Sequence, residues 1–157
     1  MSKENVQVVR RFNEPYDGRD LIPVILESVE RLGPDPQPEA VLADWAGDPT
    51  WQHAHPEIEW DVTAAGAVGG VARGPRELAL WWRDWVRAWQ SYTYRVSTYR
   101  DLGDWVLTRT DVKATGPGGI PVEMRICQIW QVRDGKVAAV RHFFTEQEAL
   151  EAVELRE

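Results

Sequence analysis

The sequence predicts an α+β fold, with a curved antiparallel sheet wrapped around N-terminal helices to enclose a pocket. Two observations carry this. Apolar residues recur at helical spacing through the first third of the chain, and the segment from Ser91 to Phe144 reads as four strands separated by turn signals. The strands are Tyr92–Leu102, Trp105–Thr115, Ile120–Val132 and Lys136–Phe144, turned by Gly103-Asp104, Gly116-Pro117-Gly118-Gly119 and Asp134-Gly135. Lengths of 9 to 13 residues exceed the common strand, and long antiparallel strands curl around whatever fills them.

The elements follow in order. Val6, Val9, Phe12 and Tyr16 give a first amphipathic helix over Glu4–Glu14, ended or kinked by Pro15. Asp20 caps a second helix through Leu32, with Pro23 tolerated in its first turn. Gly33-Pro34-Asp35-Pro36 breaks the chain, Pro38–Trp45 forms a third helix, and Gly47-Asp48-Pro49 ends it. Ile58–Thr63 reads as a strand, and residues 64–72 as a small-residue loop able to act as a lid. Gly74-Pro75 opens a helix with Leu78, Trp81, Trp82, Trp85 and Trp89 on one face. Arg76, Arg83, Asp84 and Arg87 lie opposite. Thr145 and Glu148 form a capping box for a last helix.

Composition bounds the function. The 157 residues suit one domain, with residues 33–56 as an insertion. A net charge of −7 and no cluster of Lys and Arg argue against nucleic acid and anionic membranes as partners. No apolar run approaches the ~20 residues a spanning helix needs, so the expected location is cytoplasmic. Cys127 stands alone, which excludes an internal disulfide and a cysteine-based zinc site. Nine Trp furnish either a heavy core or an aromatic cavity.

Several short stretches, in this order and at this spacing, resemble the SnoaL-like members of the nuclear transport factor 2-like superfamily, which includes ketosteroid isomerase. They are Glu4-Asn5-Val6 through Val9-Arg10-Arg11-Phe12, Gly18-Arg19-Asp20-Leu21, Ile58-Glu59-Trp60-Asp61, Arg73-Gly74-Pro75, Asp101-Leu102-Gly103-Asp104, Gln128-Ile129-Trp130, Asp134-Gly135-Lys136-Val137 and Glu148-Ala149-Leu150. The resemblance implies a cone with a central pocket, and a homodimer formed through the sheet. It places Asp61 at the position of the isomerase's general base. A carboxylate among apolar rings has a raised pKa, suited to proton transfer. Phe12 falls where the isomerase has an oxyanion-stabilising tyrosine, and a phenyl ring donates no hydrogen bond. Gln128 falls where it has an acidic donor. Loss of one such donor typically costs ~10²–10³ in rate, so ketosteroid isomerisation itself is not expected.

Strand alternation and the resemblance together turn Ala138, Val140, His142 and Phe144 inward, with Ile126, Gln128 and Trp130 beside them and Thr108, Thr110 and Val112 lining the pocket. His142 is then an acid–base partner for Asp61. Arg125, Cys127, Ile129 and Gln131 face outward, where the apolar pair Cys127 and Ile129 implies a covered face such as a dimer interface. The site expected is Asp61, His142 and Gln128 as the chemical groups, with Phe12, Tyr16, Trp60, Trp82, Trp85, Thr108, Thr110, Trp130 and Phe144 around a small apolar or aromatic molecule. The reading is an acid–base enzyme of isomerase, cyclase, dehydratase or hydrolase type that uses no cofactor. Its alternatives are a non-catalytic binding module and a dimeric interaction protein of the same fold. A more remote one is a metal site on His53, His55 and Glu59, whose spacing matches a metal-binding His-x-His-x₃-Glu motif.

Overall fold

The computed structural model describes residues 2–64 and 70–154. Its helices are α1 (Ser2–Asn13), α2 (Leu21–Leu32), α3 (Pro38–Ala46), α4 (Gly74–Val86) and α5 (Glu146–Glu154). Its strands are β1 (Ala54–Asp61), β2 (Val71–Arg73), β3 (Ser91–Asp101), β4 (Val106–Thr115), β5 (Pro121–Arg133) and β6 (Lys136–Phe143). They form one sheet in the order β2-β1-β6-β5-β4-β3. Every pairing is antiparallel except β1 with β6, which run parallel. None of the described helices is long and apolar enough to cross a membrane.

Local chemistry sets the element ends. Asp20 Oδ1 accepts from Ile22 N at 3.1 Å, capping α2, and from Tyr92 N at 3.0 Å, tying the helix start to β3. Pro15 ends α1 in a 3₁₀ turn over Glu14–Tyr16 that brings Tyr16 into the interior. Asp134 and Gly135 turn β5 into β6 with φ of 54° and 72°, the twist that a two-residue hairpin requires. Thr145 Oγ1 accepts from Glu148 N at 3.2 Å and donates to the Glu148 carboxylate at 2.9 Å, opening α5.

Helices α1 and α4 fill the inner face of the sheet. Val9, Phe12, Ile58, Trp60, Leu78, Trp130 and Val140 form one core there, and Tyr16, Ile22, Trp85, Tyr92, Val112 and Ile126 form a second. The outer face is covered in part by α5, where Ala149, Ala152 and Val153 pack on Cys127, Ile129 and Phe143. The covering layer expected from a partner is therefore supplied, at these residues, by the chain's own last helix.

Three local expectations need correction. β1 begins at Ala54, ahead of Ile58, because its register with β6 slips between Ala54 and Glu59; Pro56, which lacks an N–H, falls within that slip. Val71–Arg73 is a strand paired with β1 rather than loop, while the lid expected over 64–72 lies partly outside the described residues. A register shift after Gln131 turns Val137, rather than Ala138, into the inner core.

Gly18 is required by its position. Its φ is +79°, its N–H donates to Tyr94 O at 2.8 Å, and a Cβ there would stand 3.0 Å from the Arg95 guanidinium. The guanidinium can move, whereas the left-handed backbone cannot. Gly18→Ala is expected to destabilise the protein by about 1–2 kcal/mol, read as a lowered urea midpoint at unchanged slope.

Candidate functional site

Between the helices and the inner sheet face lies a cavity of ≈ 340 Å³, within the size range of small-molecule sites. Aromatic and aliphatic side chains make up most of its wall. Trp45 and Trp51 stack at 5.1 Å, Trp51 meets Trp82 edge to face at 5.8 Å, and Trp60 lies 5.5 Å from Trp82. Trp81, Trp85 and Trp89 continue the series along and beyond α4. The described residues thus surround the cavity with π-faces and a few polar groups at separate places.

The first polar group is built on β4 and β5. The Trp130 indole N–H donates to Thr108 Oγ1 at 2.7 Å. Thr108 and Thr110 hydroxyls each donate to Gln128 Oε1 at 2.8 Å. With its oxygen occupied twice, the Gln128 amide must turn its NH₂ the other way, as a donor. Thr108 is fully buried and orients Gln128 from behind rather than lining the cavity itself.

The second group is the cross-strand neighbour of the first, since Gln128 pairs with His142 in the β5–β6 register. His142 Nδ1 lies 3.1 Å from the main-chain carbonyl of Asp61. A carbonyl only accepts, so Nδ1 carries the proton and Nε2 holds the free lone pair. Burial pushes the His142 pKa down to about 4, against the opposing pull of the Asp61 carbonyl and charge. The imidazole is neutral at physiological pH, its ring packed on Trp60 at 5.0 Å.

Asp61 does not join them. Trp60 faces the cavity, so the next residue on the strand faces the other side of the sheet. Its Oδ1 accepts from Thr63 N at 2.9 Å, and its Oδ2 lies 3.6 Å from Arg141 Nε, its parallel neighbour on β6. What Asp61 presents to His142 is its backbone carbonyl. The expected carboxylate–imidazole pair is corrected on this geometry.

A third group sits at the α2–α3 end. The Tyr16 hydroxyl donates to Asp48 Oδ2 at 2.8 Å, and Asp48 Oδ1 accepts from Thr50 N and Trp51 N. Burial, followed by the hydrogen bond and charge of Asp48, drives the Tyr16 pKa up, so the phenol stays protonated. Next to it, Asp44 is engaged by Ser28 at 2.9 Å and Arg31 at 2.8 Å. Arg83, expected on the solvent face of α4, lines the cavity and donates to Pro34 O at 3.2 Å.

The other expected residues Phe12, Tyr16, Trp60, Trp82, Trp85, Thr110, Trp130 and Phe144 line the cavity. Phe12 packs among Trp51, Trp60 and Trp130. Asp48, Trp45 and Trp51 were not foreseen, because they lie in the segment read as an insertion. His53, His55 and Glu59 are not gathered. His53 sits in a 3₁₀ turn, His55 reaches Asp134 and Glu59 reaches Arg73, and the described residues hold no group of three metal-ligating side chains.

The family profile described as SnoaL-like domain matches residues 37–140. Among solved structures, TerC co-crystallized with polyporic acid is 21% identical, over 74% of this chain and 96% of its own, with a TM-score of 0.57. A nuclear transport factor 2-like protein from Burkholderia thailandensis E264 is 20% identical over 96% of both chains, with a TM-score of 0.60. A protein of ketosteroid isomerase-like fold from Catenulispora acidiphila DSM 44928, in complex with trimethylamine, is 12% identical over 75% of this chain and 92% of its own, at 0.53. These likenesses are of fold. No protein of curated function matches the chain.

Proposed function

The chain belongs to the SnoaL-like domain family, and from that premise we propose that it is a small-molecule enzyme that moves a proton on an aromatic carbonyl compound. The observation that carries this is the adjacent pair of His142, with a free Nε2 acceptor, and Gln128, with its amide turned to donate, in a cavity walled mainly by aromatic and aliphatic side chains. That a structural neighbour holds polyporic acid supports a cavity that takes an organic ligand.

In this reading the substrate carbonyl rests on the Gln128 N–H. His142 Nε2 takes a proton from the carbon beside it, and the electron pair left behind moves onto the carbonyl oxygen. Gln128 strengthens its hydrogen bond as that oxygen becomes negative. The imidazolium shares its Nδ1 proton with the Asp61 carbonyl. Return of the proton to another atom is isomerisation; attack of the enolate on a second carbonyl is cyclisation. With a pKa of about 4, His142 is a weak base, which selects an acidic C–H such as one between two carbonyls.

The test is deuterium exchange at C2 of 1-phenylbutane-1,3-dione, followed by NMR in D₂O. The protein is expected to accelerate exchange over buffer. His142→Gln should lower the enzymatic rate by ~10²–10⁴ and Gln128→Leu by ~10²–10³, whereas Asp61→Asn should change it little. Saturable binding of the dione, seen as Trp quenching, with exchange at the buffer rate would replace catalysis by binding alone. That second reading is favoured by the sparseness of polar groups on the cavity wall.

A further inference from the structure

We propose that the α2–α3 end of the cavity is a subsite for a protonated arylalkylamine, with Asp48 as the counter-charge and Trp45, Trp51 and Tyr16 as the ring wall. The proposal rests on the reading of the cavity as a ligand site, but not on proton transfer at His142. Asp48 is placed by the rings it serves. Its N–H donates to Trp45 O at 3.0 Å, and its Oδ1 accepts from Trp51 N at 2.9 Å, so the carboxylate sits on the turn that holds both stacked indoles.

Its charge has no ion-pair partner among the described residues. The carboxylate accepts three hydrogen bonds, all from neutral groups: the Tyr16 hydroxyl, Thr50 N and Trp51 N. The charged groups nearby are otherwise engaged. Arg31 feels the Asp48 charge but is bonded to Asp44, and Arg19 lies over the Tyr16 ring at 5.4 Å. Hydrogen bonding keeps an anion in place without cancelling its field.

A second observation is independent of the first. Thr50 lines the same cavity at 4% exposure, and its Oγ1 has no hydrogen-bond partner. A buried hydroxyl left unpaired is costly, and an ammonium N–H is a donor that it can accept. The faces of electron-rich rings attract the same cation, more strongly where water is excluded. Carboxylate, free hydroxyl and ring faces thus favour one chemistry, an ammonium on an aromatic body.

The experiment compares 2-phenylethylammonium with the neutral 2-phenylethanol at pH 7, by quenching of Trp emission excited at 295 nm and by calorimetry. The ammonium is expected to bind about 10-fold more tightly, and the preference should shrink as salt is raised. In Asp48→Asn, which keeps an oxygen for the Thr50 and Trp51 amides, the ratio of the two affinities should fall to about 1. Equal affinity of the two probes for the wild-type protein overturns the proposal, as does binding of neither at millimolar concentration or a preference that survives in Asp48→Asn. If that variant does not fold, the wild-type comparison still decides. Neither probe carries an acidic C–H beside a carbonyl, so failure here leaves the exchange assay to judge His142 on its own.

Discussion

Trp60→Ala is expected to destabilise the protein by about 3–5 kcal/mol, the range for emptying a buried aromatic site. Trp60 is 6% exposed and stands at the centre of the ring cluster. It lies 5.0 Å from His142, 5.5 Å from Trp82, 5.7 Å from Trp51 and 6.3 to 6.4 Å from Trp81, Phe12 and Trp130. No single neighbour can fill the void, because each is held by others on a different element. A loss of this size is a large fraction of the 5–15 kcal/mol of a typical domain. Urea unfolding followed by circular dichroism should show a lower midpoint with little change in slope. Trp60→Phe keeps a ring on the same strand and should recover more than half of the loss. A cost below about 1 kcal/mol for the alanine variant would mean that the site collapses freely and that the cluster is not close-packed.

Much of this architecture was legible beforehand, for reasons that particular residues make clear. Asp134-Gly135 is a turn whose chemistry allows few alternatives, and it fixes the β5–β6 register as far as Val132 and Val137; the shift beyond Gln131 then moves the pairing by one residue and sets Gln128 beside His142. Alternation along β4 and β5 put Thr110, Ile126, Gln128 and Trp130 on the inner face, where they lie. The same alternation, applied to Ile58 and Trp60, already turns Asp61 outward. The expectation for Asp61 followed the family resemblance instead of the parity of its own strand. Tyr16 and Asp48 meet across 32 residues, through a segment with no periodic signal, and local pattern contains nothing of that kind. The three residues of β2 are too few for any period to appear. The outer face was read correctly as covered, but not by what. Ala149, Ala152 and Val153 recur at helical spacing within α5, and that stripe marks the covering element within the chain itself.

Acidification should expose His142 as a pH-dependent weak point. In the unfolded chain its imidazole titrates near the ordinary 6.5, whereas burial holds the folded one at about 4. Between these values the unfolded state binds the extra proton, so stability rises with pH there, at about 1.4 kcal/mol per unit at most. The contribution is whole above pH 6.5, is lost as the pH falls toward 4 and changes no further below it. The interval corresponds to roughly 3 kcal/mol. Burial and the Arg11 charge also lower the His53 pKa, a contribution common to wild type and variant. The difference between wild type and His142→Gln isolates the one residue. Urea midpoints at pH 7 and pH 4.5 should show the wild type losing about 2–3 kcal/mol more than the variant. Parallel losses in the two proteins would mean that His142 is reached by water and protonates freely in the folded state. Its Nε2 would still be mostly unprotonated at neutral pH and would be a stronger base, so what would fall is the restriction of the substrate to an acidic C–H, not the proton transfer itself. A wild-type excess would instead tie the low basicity of the imidazole to the packing of Trp60 over it, so that Trp60→Phe, by admitting water at that face, should raise the His142 pKa and narrow the pH-dependent loss.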